Sequence, residues 1–183
     1  ISHDGLHYHE PIPGFKFVRA REQPYSVFGD HPALMHGQGM ENFGDRTLYW
    51  YSPWKGIHST GVRVVSWPRD RFGWVQPTAR FGAMVQSLPF GIVDGDEAPV
   101  FINAAGLGSE ASLRIGLLDE GFHPLPGFSG ADAAVVAESG LRVPVTWPGG
   151  RLLPANLGRL RLDIRFDGVR PEDARLYAIY IGG

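Results

Sequence analysis

The sequence predicts an all-β chain, with about one blade of β-propeller sheet over residues 1–70 followed by an antiparallel β-sandwich over 71–183. Three observations predict it. Apolar and polar side chains alternate with a period of two through most of the chain, and long helical periodicity is nearly absent. Gly (25) and Pro (15) together exceed a fifth of the 183 residues, a composition that fits many short strands joined by turns. The front of the chain is also chemically unlike the back: six of the seven histidines and four of the five tryptophans fall in the first 75 residues.

In the front region, Ser2-His3-Asp4-Gly5-Leu6-His7-Tyr8 has the chemistry of a tight turn running into an aromatic, as at the outer hairpin of a blade. His3, His7 and His9 offer an alternative reading as metal ligands, but no fixed motif supports them and no metal is expected. Three strands follow, at 37–42, 46–52 (RTLYWYS) and 61–67 (GVRVVSW). Three consecutive strands of this length make a meander, which is most of one propeller blade. A single blade cannot bury both its faces. Neighbouring blades are therefore expected, from an N-terminal portion of a longer protein or from a partner chain. The domain boundary is expected between Trp67 and Pro77, in WPRDRFGWVQP. There Arg69-Asp70-Arg71 is read as bidentate Arg–Asp pairs pinning the two domains together.

The back region gives strands at 82–88, 100–105, 111–118, 141–147, 159–167 and 175–181. The cleanest is 159–167, where Leu160, Leu162, Ile164 and Phe166 share a buried face and Arg161, Asp163 and Arg165 a wet one. Pro144 cannot donate to a ladder, so its strand is expected at an edge or a bulge. Residues 175–181 (RLYAIYI) are apolar on both sides and read as a more central strand. The one helix candidate is the short, Ala- and Val-rich stretch 130–138. Asp94-Gly95, Glu120-Gly121, Pro148-Gly149-Gly150 and Asp167-Gly168 mark turns.

Charge and composition exclude several function classes. With 17 basic and 19 acidic residues spread thinly, no footprint for nucleic acid is visible. No apolar run approaches the ~20 residues of a membrane-spanning helix. Cysteine is absent, which removes disulfides and thiolate metal sites. No nucleophile elbow, phosphate loop or dinucleotide fingerprint occurs, and no cofactor is expected.

Candidate binding residues cluster on the front sheet. His36, Gln38 and Glu41 enter the strand that lies nearest the axis in a propeller, where pockets with a few polar groups form. Their alternative role is a hydrogen-bonded inner strand. Trp54, read as a loop residue, is the aromatic best placed to stack on a sugar ring. A catalytic carboxylate pair is not identifiable. Phe122, Phe128 and Trp147 are the aromatics from which a sugar platform on the sandwich could be built.

Taken together, SHDGLHY, QGMENFGDRTLYWYS, GVRVVSWPRDRFGWV, LRIGLLDEGFHPLPGFS, RLRLDIRF and ARLYAIYI resemble the C-terminal end of bacterial five-bladed propeller glycoside hydrolases of the sucrose-hydrolase and arabinanase type. The resemblance implies a catalytic propeller followed by a β-sandwich, with the catalytic carboxylates on early blades not represented here. It also implies a pocket role for His36; the residues do not give the compartment, for which a secreted or periplasmic one is the option considered. The expected function is that of the C-terminal part or a subunit of such an enzyme. The alternatives are a stand-alone carbohydrate-binding module and a structural interaction domain.

Overall fold

The computed structural model describes residues 13–14, 18, 33–55, 58–59, 61–78, 82–92, 97–155 and 157–182. The turn and histidines at residues 2–9 lie outside them. Strand accounts for 54% and helix for 5%, so the all-β expectation holds, in several antiparallel sheets. Among the described residues no sheet closes on itself.

The strands are β1 (Ala33–Phe43), β2 (Arg46–Lys55), β3 (His58–Ser59), β4 (Arg63–Pro68), β5 (Met84–Gln86), β6 (Glu97–Ala98), β7 (Val100–Ala105), β8 (Ala111–Asp119), β9 (Ala134–Val136), β10 (Gly140–Val145), β11 (Leu153–Pro154), β12 (Leu160–Gly168) and β13 (Arg175–Ile181). The chain divides into two compact units. One comprises Ile1–Glu41 and Leu48–Ser66, the other Asn42–Thr47 and Trp67–Gly183.

The first unit centres on a four-stranded sheet in which β1, β2 and β3 are successive neighbours and β4 also pairs with β2. Pairing of Trp54 with Ser59 and of Lys55 with His58 keeps β2 extended beyond Pro53. Trp54 therefore stands in a strand, not in the expected loop: the ladder to β3 supplies hydrogen bonds that a loop would have to find elsewhere.

The second unit holds a three-stranded sheet, β10-β7-β13, a four-stranded sheet, β5-β12-β8-β9, and the short pair β11-β6. One core joins them. Val100, Ile102 and Ala104 of β7, Leu113, Ile115 and Leu117 of β8, and Leu160, Leu162 and Ile164 of β12 are all buried in a single cluster. Their period of two is the alternation seen in the sequence. Pro144 lies on β10, an edge strand with a register irregularity between Gly140 and Val143. Pro144 itself is in register with Phe101, beyond the irregularity, so the edge position is what accommodates it.

Two further expectations fail. β13 is an outer strand of its sheet, not a central one; its free side is met by Val75, whose N–H and C=O bond Leu176 at 2.8 and 3.0 Å. On its second side Tyr177 is covered by Trp74 and Arg71, which lie over its ring. Residues 130–138 do not make a helix. A single 3₁₀ turn, Gly130–Asp132, leads into β9, which pairs with β8. A β-branched Ala-Val-Val run gains more from a sheet edge and a buried face than from an isolated helical turn.

Candidate functional site

Two polar constellations stand in the second unit. The first is built around the turn after β4. Asp70 adopts φ 55°, a left-handed conformation rare outside glycine and held here by its surroundings. Its N–H donates to Thr47 Oγ1 at 2.8 Å. Its carboxylate accepts from Asn42 Nδ2 at 2.9 Å and from the Tyr180 hydroxyl at 2.7 Å. Burial, then the bond to Asp70, push the Tyr180 phenol above its ordinary pKa of 10.0. Asn103, fully buried on β7, donates to the Arg69 carbonyl at 2.6 Å and accepts from Arg71 Nε at 2.9 Å. Arg71 Nη2 reaches the carbonyls of Ala104 and Gly140 at 3.2 and 3.3 Å.

The Arg-Asp-Arg segment thus works as a clasp, by a different pairing from the one expected. Arg71 spends its fork on an amide and two carbonyls, and Asp70 takes a phenol and an amide. Arg69 lies 3.7 Å from Asp70 through Nε, short of a bidentate pair. The clasp holds the β1–β2 turn, residues 42–47, where Asp45 O accepts from Arg69 N–H at 2.7 Å. Its polar groups are engaged with one another, which gives it a structural role.

The second constellation lies on the outer face of β8 and β12. Register pairs Asp163 with Gly116 and Arg165 with Arg114. Asp163, expected on a wet face, is only 6% exposed. Gln86 Nε2 donates to its Oδ1 at 2.9 Å, and Arg165 Nε to its Oδ2 at 2.9 Å. These two donors supply what a buried carboxylate requires.

Above them folds the loop 119–133, part of the distinctive LLDEGFHPLPGFS run. Its first bend is tied by Asp119, whose carboxylate accepts from the His123 N–H at 2.8 Å and contacts His123 Nδ1 at 3.0 Å. The backbone N–H of His123, foremost among the causes, holds the Asp119 carboxyl below its usual value. Farther along, Ser129 Oγ accepts from Leu117 N–H at 3.1 Å and donates to the Leu117 carbonyl. A Cβ on Gly116 would stand 3.2 Å from that hydroxyl, so the glycine admits the loop at this close approach. Between loop and sheet a cleft of about 400 Å³ remains, lined among others by Arg114, Gly116, Ser129, Asp132, Asp163 and Arg165. Two carboxylates, two guanidinium groups and a hydroxyl give it donors and acceptors for a small polar molecule.

The residues expected from the sequence fall elsewhere. His36, Gln38 and Glu41 lie on β1 and Trp54 on β2. Glu41 is exposed; the side chains of the other three lie outside the described set. Among the described residues no three His, Asp or Glu side chains gather as a metal would require. Of the aromatics expected to offer a sugar platform, Trp147 cannot do so. It is 1% exposed, its Nε1 donates to the Ile115 carbonyl at 3.0 Å, and Phe128 packs edge-on against it at 5.7 Å. Phe122 is 53% exposed, with Arg161 4.0 Å above its ring.

The cleft itself escaped the sequence. The alternation Arg161, Asp163, Arg165, Asp167 is legible, but its meaning depends on the facing strand, whose register only the fold supplies. Compared with models of protein families, with curated proteins and with solved structures, this chain matches none.

Proposed function

We propose that this chain is the C-terminal accessory part, or an accessory subunit, of a glycoside-hydrolase-like protein, and that the cleft between β8, β12 and the 119–133 loop holds carbohydrate. In this reading the front sheet is a propeller-blade element and the two core-sharing sheets of the second unit are a β-sandwich. Bond cleavage is assigned to the early blades that the resemblance places elsewhere, and binding and support to this chain. His36, Gln38, Glu41 and Trp54 keep the substrate-binding role expected of them on the blade.

The observation that carries the reading is the cleft with its nearly buried, doubly hydrogen-bonded Asp163. Sites for small polar ligands use a few oriented polar groups on a preformed concave surface, and here Gln86 and Arg165 orient the carboxylate before any ligand arrives. Exposed apolar side chains on the front strands and their connections supply the argument for covering blades: Met40, Phe43, Val62 and Val64 are 53–73% exposed. Apolar groups gathered on one sheet favour burial by a partner.

Calorimetric titration of the full chain with a panel of mono- and oligosaccharides tests the reading. Binding is expected, falling at least about tenfold in Asp163→Ala with circular dichroism unchanged; Asp163→Asn, which keeps the shape, guards against a folding defect. A flat panel for the native chain would defeat the carbohydrate reading.

A further inference from the structure

The β8–β12 register sets Arg114 directly opposite Arg165. Side chains so paired stand ~5 Å apart at Cβ, and like charges at that spacing repel. Nearby carboxylates engage both arginines without using up either. Arg165 gives only its Nε, to Asp163, and is 62% exposed. Among the described residues neither of its terminal nitrogens has a protein acceptor. Arg114 reaches one oxygen of Asp167 with Nε and Nη2, both at 3.3 Å, long for charge-assisted bonds. Its Nη1 has no protein acceptor among the described residues. The carboxylates are themselves engaged: Asp163 accepts from Gln86, and Asp167 from the Gly168 N–H at 2.8 Å.

The two arginines border two hollows. The pair lines the cleft of about 400 Å³ and, on its other side, a second hollow of about 290 Å³ reaching Met84 and Phe166. Two guanidinium groups fixed on neighbouring strands match an acceptor with two adjacent oxygens, because the planar fork donates in parallel. Ser129 and Asp132, on the cleft's other wall, suit hydroxyl groups.

We propose that Arg114 and Arg165 form a seat for the carboxylate of an acidic sugar, a uronate, whose hydroxyls turn into the cleft. This rests on the carbohydrate reading of that cleft and narrows it to anionic saccharides. The site would select against the neutral parent sugar, which leaves the opposed cations without an added acceptor.

The test is titration of the full chain, by nuclear magnetic resonance shifts and calorimetry, with D-glucuronate, D-galacturonate, their neutral parents glucose and galactose, acetate and sulfate. A uronate is expected to bind at least about tenfold more tightly than its neutral parent and than acetate or sulfate. Arg114→Gln and Arg165→Gln should each abolish the preference with circular dichroism retained. Arg165→Lys, which keeps the charge and loses the fork, should weaken uronate binding as well. Equal binding of neutral and acidic sugars overturns this inference and leaves the carbohydrate reading standing. Sulfate or acetate binding as tightly as uronate, or an unchanged preference in the double Gln variant, also overturns it. If no sugar binds at all, both fall.

Discussion

Replacing Asn103 by Leu tests the clasp at the Arg-Asp-Arg turn. The side chain is fully buried and has leucine's branching with a smaller volume, so the change deletes hydrogen bonds and opens no void. Three groups lose a partner: the Arg69 carbonyl, bonded at 2.6 Å, Arg71 Nε, bonded at 2.9 Å, and, through a long bond of 3.4 Å, the Tyr180 hydroxyl. An orphaned buried group costs about 1–3 kcal/mol, more when charged. Arg71 retains two carbonyl acceptors through Nη2, so its loss belongs near the low end. The Arg69 and Arg71 losses together amount to about 2–4 kcal/mol, and burying the leucine methyls returns roughly 1. Asn103→Leu is thus expected to destabilise the second unit by about 1–3 kcal/mol. Urea unfolding followed by far-ultraviolet circular dichroism measures it, and amide exchange along β7 and β13 localises it. Adding Arg71→Met removes the orphaned donor, so the double variant should cost at least about 1 kcal/mol less than the sum of the singles. A single-variant cost under about 1 kcal/mol, or strict additivity, would refute the assignment of the clasp as a coupled polar network.

The remaining predictions concern backbone shape and pH. Gly106 has φ +74°, and a Cβ there would fall 1.9 Å from the Asp173 carbonyl oxygen. Gly106→Ala should therefore lower stability by more than about 2 kcal/mol, since left-handed strain of ~1–2 kcal/mol is joined by a clash with main chain; a neutral result in urea titration would contradict the packing of β7's end against that turn. Because the Tyr180 phenol titrates above 10.0 in the folded chain, the folded state holds this proton more tightly than the unfolded state. Its stabilising contribution is complete below pH 10 and fades as pH rises through the folded value. Unfolding measured from pH 8 to 11.5 should show a loss at the alkaline end that is smaller in Tyr180→Phe; identical pH profiles would remove the Tyr180–Asp70 bond from the account.

Several features could be read directly from the residues. Leu160, Leu162, Ile164 and Phe166 alternate with charged neighbours, and a strand's period of two allows such a row only one inner face. Pro144 lacks an N–H, which confines it to an edge or bulge whatever the surrounding fold. The limits of β7 and β13 match the expected strands residue for residue, because turn formers stand close to their ends. Other features needed the partner strands. Hydropathy reports that RLYAIYI is covered on both sides; it does not say whether a strand or the side chains of Trp74 and Arg71 do the covering. Trp147 is as apolar in a platform as in a core, and only the Ile115 carbonyl awaiting its indole N–H decides for the core.

The sequence by itself determined the all-β class, the strand faces and most strand positions, since these follow from alternation and from the backbone limits of proline and glycine over a few neighbouring residues. Tertiary structure alone decided that Arg165 faces Arg114, that Asp163 faces Gly116, and that the 119–133 loop closes over them. Those juxtapositions join residues dozens of positions apart. Their register is set by the summed burial of a whole sheet face, a quantity that no local stretch of sequence contains.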